Sequence, residues 1–109
     1  MGATTPDEVV LDSLTARGLQ VAVLAEAVEE PLAVRTRRPG DALRPLGLGG
    51  RKKLQDLFVD KKIDRIQRDR APLVVDARDR IVWVVGLTLD EAVRVPAPGR
   101  AVIFLRAKR

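Results

Sequence analysis

The 109-residue chain contains no cysteine and no histidine. Lacking cysteine, it can form neither a disulfide nor a thiolate metal site, and a reducing compartment is compatible with it. The absence of histidine removes the usual general base, the usual zinc ligand and every Ser-His or Cys-His dyad. Serine occurs once, at Ser13, with no base to activate it. Aromatic residues make up 3% of the chain, two Phe and one Trp, which argues against recognition of single strands on a platform of stacked rings. No apolar run is long enough to span a bilayer, and the N-terminus lacks the charged and apolar regions of a signal peptide, so a soluble cytoplasmic protein without a membrane partner is expected. No catalytic residue, metal ligand or cofactor site is assigned to this chain.

What is abundant is positive charge. Twenty Lys and Arg stand against fifteen acids, for a net charge of +5 and a pI near 10.4. The distribution is uneven: residues 1–34 carry −5, residues 35–70 carry +7 and residues 71–109 carry +3. A basic middle beside an acidic N-terminal part is the footprint of a polyanion-binding face, although an Arg-rich, well-solvated surface would look the same. The length suits one compact domain with a real core.

Periodicity and punctuation predict an α+β domain: a small sheet or sandwich with a central helical segment. Residues 4–18 read as a helix, with Thr5 as N-cap, Pro6 in the first turn, Glu8 closing a capping box and Gly18 as the stop. Gln20 to Ala27 read as a strand broken by Glu29-Glu30-Pro31. Alternation from Leu32 to Arg37 predicts a second strand with one wet, basic face formed by Arg35 and Arg37. Arg38-Pro39-Gly40-Asp41 is a turn by composition. A glycine-rich loop follows to Gly50, then a helix from about Lys52 to Ile63 and a shorter one from about Asp64 to Arg70. Leu73-Val74-Val75 and Ile81 to Val85 flank an Asp76-Ala77-Arg78-Asp79 turn as a hairpin, and their nearly continuous apolar character implies burial on both faces. A short strand is expected near Val93-Arg94-Val95, and a last one over Ala101 to Arg106. Residues 1–30 are expected to form an N-terminal helix and strand leading into a domain that occupies 31–109.

The stretch from Val34 to Ile63 carries the candidate site. Arg51, Lys52 and Lys53 fall at the start of the expected helix, already the positive end of its dipole, beside glycines that expose backbone N–H groups. An external anion would complete that arrangement; a structural turn followed by a solvated basic helix start is the competing reading. A mononucleotide loop is excluded, because Gly50 precedes Arg51-Lys52-Lys53 and Pro45 stands where the first glycine of a Walker loop belongs. The dinucleotide spacing fails as well, at Lys52. Arg35, Arg37 and Arg38 form a second basic group, suited either to two-pronged phosphate contacts or to keeping a strand edge soluble. Asp41, Asp56, Asp60, Asp64 and Asp69 each have cations within a turn or a loop and read as ion-pairing partners rather than acid/base or magnesium groups. Trp83 lies inside an apolar strand and reads as core. A duplex or folded RNA, read through its backbone and 2′-hydroxyls, fits this composition better than a single strand.

These motifs resemble a known family. Arg35-x-Arg37-Arg38-x-Gly40-Asp41, then Gly47-x-x-Gly50-x-Lys52-Lys53-Leu54-x-Asp56-Leu57-Phe58, then Lys62-Ile63, Arg68, Pro72 and Ile81-x-Trp83-Val84-x-Gly86 follow, in order, the pattern of the C-terminal domain of bacterial tRNA(Ile)-lysidine synthetases. The resemblance covers about residues 32–88. Asp64 departs from it, standing where the family has proline. The resemblance implies a module shared with the phenylalanyl-tRNA synthetase β-subunit. It implies a tRNA-binding domain that engages the acceptor stem of tRNA(Ile). ATP-dependent attachment of lysine to the wobble cytidine would then belong to a separate PP-loop domain holding ATP and lysine; this chain has no S-G-G-x-D-S segment. It further implies RNA contacts by Arg35, Arg37, Arg38, Arg51, Lys52, Lys53, Lys62 and Arg68, with Gly40, Asp41, Gly47 and Gly50 shaping the loops and Asp41 and Asp56 orienting the cations. A protein-interaction or structural module without RNA contact is the alternative.

Overall fold

The structure, a computed structural model, describes residues 20–107. The helix expected over residues 4–18 lies outside them. Eight strands and two helices follow in the order β1 (Gln20–Leu24), β2 (Ala33–Arg35), β3 (Ala42–Leu43), β4 (Lys52–Lys53), α1 (Leu54–Asp60), α2 (Arg65–Arg70), β5 (Leu73–Val75), β6 (Ile81–Val84), β7 (Thr88–Leu89) and β8 (Val102–Arg106). All pairings are antiparallel: a four-stranded sheet in the order β2-β5-β6-β7, and two separate ribbons, β1 with β8 and β3 with β4. None of the described helices is long and apolar enough to cross a membrane.

The apolar run in β5 and β6 has a direct physical cause. Leu73, Val75, Ile81 and Val84 pack on one side against Leu43, Leu54, Leu57 and Phe58 of the β3–β4–α1 layer. Val74, Val82 and Trp83 pack on the other side with Val23 of β1, Ile103 of β8 and Val93. A sheet covered on both faces cannot alternate apolar with polar residues, so the strands read as continuous. Val82 and Trp83 are neighbours yet share a face because the register jumps from Val74↔Trp83 to Val75↔Ile81. Val82 is the extra residue of a β-bulge, which turns the strand at that point.

Three local expectations are corrected. The first strand stops at Leu24 and gives way to a 3-10 turn at Ala25–Ala27. No strand forms at Val93–Val95; a 3-10 turn at Glu91–Val93, capped by Asp90, places Val93 in the core, and the short strand is Thr88–Leu89. The central helix starts two residues later and ends sooner than its pattern suggests. Lys52 and Lys53 pair as β4 with Leu43 and Ala42, and the seven-residue α1 is preceded by Lys53 as N-cap. At its other end Ile63 N–H donates to Phe58 O and Lys62 N–H to Val59 O, each at 3.0 Å, the pair of bonds that closes a Schellman cap. Lys62 occupies the left-handed position (φ 59°) normally given to glycine, so the sequence carried no stop signal there.

Candidate nucleic-acid interface

The basic strand β2 is inverted relative to its expected polarity. Val34 is 69% exposed, whereas the side chain of Arg35 is only 11% exposed. Arg35 donates from Nη1 to Asp41 Oδ2 (3.0 Å), from Nη2 to Asp41 Oδ1 (2.9 Å), from Nε to Asp79 Oδ1 (2.9 Å) and from Nη1 to the carbonyl of Thr36 (3.0 Å). Its fork is filled by protein carboxylates. The bonds from Asp41, set against burial and helped by Asp79, raise the Arg35 pKa further above its already high value. Burial alone would push Asp41 up, but the Arg35 fork and the Arg38 N–H outweigh it and hold the carboxyl below the ordinary range. Asp41 therefore orients cations, and its own carbonyl also accepts from Leu54 N–H at the start of α1 (2.9 Å).

Around this hub the remaining cations divide into two groups. Arg37 is bound to Asp69 on α2 through Nε (3.0 Å) and Nη2 (2.7 Å). Arg38 is 60% exposed, with one bond to Asp79 Oδ2 (3.2 Å). Lys52 is paired with Asp60 across α1. Arg68 Nε donates to the Ile63 carbonyl (2.6 Å), helping to close the turn between the helices. In contrast, Arg51, Lys53 and Lys62 are exposed and make no ion pair or side-chain hydrogen bond among the described residues. Arg44, Lys61, Arg65 and Arg70, which the motif reading passed over, share that condition. Asp56 has no ion pair among the described residues either; it lies in the first turn of α1, where a negative charge complements the helix dipole.

Three of the loop amides are engaged within the protein. Leu46 N–H donates to Leu89 O (3.2 Å), Gly47 N–H to Glu91 Oε1 (3.2 Å) and Leu48 N–H to Pro45 O (3.1 Å). The Gly47 N–H, then Arg94, holds the Glu91 carboxyl below its usual range. Gly40 (φ 86°) sits at the third position of a Pro39-Gly40 turn closed by Asp41 N–H to Arg38 O (3.2 Å), a conformation only glycine adopts without strain. Gly47 does the same in the Pro45–Leu48 turn (φ 79°), while the next positive φ belongs to Gly49 rather than Gly50. Because α1 begins after the three cations, its dipole does not act on them as a first turn would.

A second buried acid, missed in the motif reading, fixes the hairpin beneath this face. The Asp76 carboxylate, 1% exposed, accepts from the N–H groups of Glu29 (3.2 Å), Arg78 (3.0 Å) and Arg80 (3.1 Å) and from the Arg80 guanidinium (2.6 and 3.0 Å). Burial pushes its pKa up, and these five donors override that and lower it. The Arg80 pKa is correspondingly raised by Asp76. No group of three or more potential metal ligands is found among the described residues.

This geometry defines a small α+β domain with a cation-rich β3–β4–α1–α2 side. The chain belongs to the family described as the TilS substrate C-terminal domain, whose model matches residues 32–103. The tRNA(Ile)-lysidine synthase of Symbiobacterium thermophilum is 52% identical over 79 residues, covering 72% of this chain and 16% of that protein. That of Bacillus subtilis is 38% identical over 98 residues, 87% of this chain and 21% of that protein. The chain thus spans no more than about a fifth of these relatives. The crystal structure of a TilS C-terminal domain superposes with a TM-score of 0.70 at 41% identity, over 80% of this chain and 67% of that one. An N-terminal fragment of the phenylalanyl-tRNA synthetase β-subunit from Pyrococcus horikoshii shares the fold, with a TM-score of 0.60 at 15% identity, over 81% of this chain and 28% of that one.

Proposed function

We propose that this chain is the tRNA-contacting domain of a cytoplasmic tRNA(Ile)-lysidine synthase. It engages the acceptor stem while a separate PP-loop domain, holding ATP and lysine, attaches lysine to the wobble cytidine. The observation that carries this reading is the membership of residues 32–103 in the substrate C-terminal domain family, on a fold in which the side chains of Arg51, Lys53 and Lys62 have no ion pair or hydrogen bond among the described residues. Cations unopposed by carboxylates are those available to phosphates. Arg38 adds a partly free fork, whereas Arg35 and Arg37, bound to Asp41, Asp79 and Asp69, act as framework. Binding of an isoleucine tRNA transcript to this chain, followed across a salt series, tests the proposal. Log affinity should fall linearly with log salt by roughly 0.7 to 0.9 per phosphate contacted. Absence of salt-dependent binding would reject it.

A second reading is favoured by one observation. A groove of about 540 Å³ runs between the Pro45–Leu48 turn, α1 and β7, floored by Leu57, Trp83 and Leu87 and rimmed by the exposed Leu46 and Leu48. Such a surface suits packing against another protein domain. Tight association with a separately expressed PP-loop domain, without tRNA binding, would favour that role.

A further inference from the structure

We infer that Arg44 and Arg51 form a cross-strand arginine pair that grips one segment of RNA backbone; this rests on the tRNA-contacting role proposed above. The β3–β4 register is Ala42↔Lys53 and Leu43↔Lys52, and Arg44 and Arg51 are the residues that immediately continue the two strands at that end, where continuing the register would set them opposite each other. Strand alternation then puts Arg44, Arg51 and Lys53 on one face of the ribbon and Leu43, which enters the core, on the other. Like charges facing each other across a ribbon are unfavourable unless an anion lies between them. Both arginines line the same cavity, about 290 Å³, and neither has an ion pair or side-chain hydrogen bond among the described residues.

The acids on the cavity wall are already engaged. Asp41 and Asp79 hold Arg35 and Arg38, Asp76 holds Arg80, and Asp90 accepts from the N–H groups of Arg44 (2.9 Å) and Ala92 (2.8 Å). The Arg44 backbone is pinned on both sides, since its carbonyl also accepts from Glu91 N–H at 2.7 Å. A fixed backbone under a guanidinium that forms no ion pair, though its charge helps to lower the Glu91 pKa, is a pre-organised donor, and two facing forks match the oxygens of adjacent phosphodiesters. Arg44 is thereby assigned to the interface although it lies outside the spaced motifs.

The test is tRNA affinity of the chain across a salt series, comparing wild type, Arg44→Gln with Arg51→Gln, and Arg100→Gln with Arg106→Gln. The last pair removes equal charge from the β1–β8 side and controls for net charge. All four positions are exposed, and thermal melting checks that each variant folds. The ribbon variant should flatten the log–log slope by about 1.4 to 1.8, two phosphates' worth, with little change in the control. An unchanged slope, or an equal loss in the control, overturns the arginine pair while leaving the tRNA-contacting role intact. Loss of salt-dependent binding in the wild type itself would remove both.

Discussion

Arg35 and Asp41 meet in a two-pronged pair, at 2.9 and 3.0 Å, with only 11% of either side chain exposed. The pair ties β2 to the Pro39-Gly40 turn and, through the Asp41 carbonyl, to the start of α1. Replacing Asp41 by Asn leaves a largely buried guanidinium without its anion and weakens acceptance from the Arg38 N–H. The expected cost is about 2 to 3 kcal/mol, read as a lower urea midpoint at unchanged m-value. A change within about 0.5 kcal/mol would show that Asp79 alone suffices for Arg35.

Stability should fall on acidification. Asp41 and Asp76 have folded-state pKa values below the ordinary carboxylate value, so the unfolded chain binds protons first. Their contribution is complete above about pH 4 and is lost as pH drops through the lower folded values. Unfolding free energy measured from pH 6 downward should begin to decline near pH 4, and Asp76→Asn should make that decline shallower. An equally steep decline in the variant would place the acid sensitivity elsewhere.

The left-handed Lys62 is a site where a natural residue is worse than the obvious substitute. Lys62→Gly removes a strain of about 1 to 2 kcal/mol and adds back roughly 0.5 to 1 kcal/mol of unfolded-state entropy. The chain should gain roughly 0.5 to 1 kcal/mol by thermal or urea unfolding. If Lys62 contacts RNA, the same variant should also bind tRNA with a shallower salt dependence, so that stability and affinity move in opposite directions.

Lys52 and Lys53 are adjacent but differently placed. Lys52 is held by Asp60, and Lys53 faces the other side of the ribbon with no ion pair among the described residues. Lys53→Gln should flatten the tRNA salt slope by about 0.7 to 0.9, and Lys52→Gln by clearly less. Equal effects would mean that the Lys52–Asp60 pair opens on binding.

Much of the frame was legible in the residues. The apolar continuity of Leu73–Val75 and Ile81–Val84 announced a sheet covered on both faces, and Pro39-Gly40 announced its turn, because both signals are local. The ribbon of Ala42–Leu43 with Lys52–Lys53 was not legible. Two-residue strands give no periodicity, and the apolar spacing of Leu54, Leu57 and Phe58 extended the helix pattern back over the lysines. The burial of β2 runs against its residue types for a related reason. An exposed Val34 and a sequestered Arg35 contradict hydropathy, and only Asp41 and Asp79, brought in from elsewhere, make burying that arginine favourable.

The sequence by itself determined a cation-rich α+β domain lacking histidine and cysteine chemistry, with the order of its spaced motifs. Tertiary structure alone decided which cations remain open. Arg37 finds Asp69 across 32 residues and Arg35 finds Asp79 across 44, while the side chains of Arg44, Arg51 and Lys53 form no ion pair among the described residues. Ion pairing acts over a few ångströms of space and is indifferent to distance along the chain. A count of charges therefore located the basic region, and only folding sorted its residues into framework and free surface.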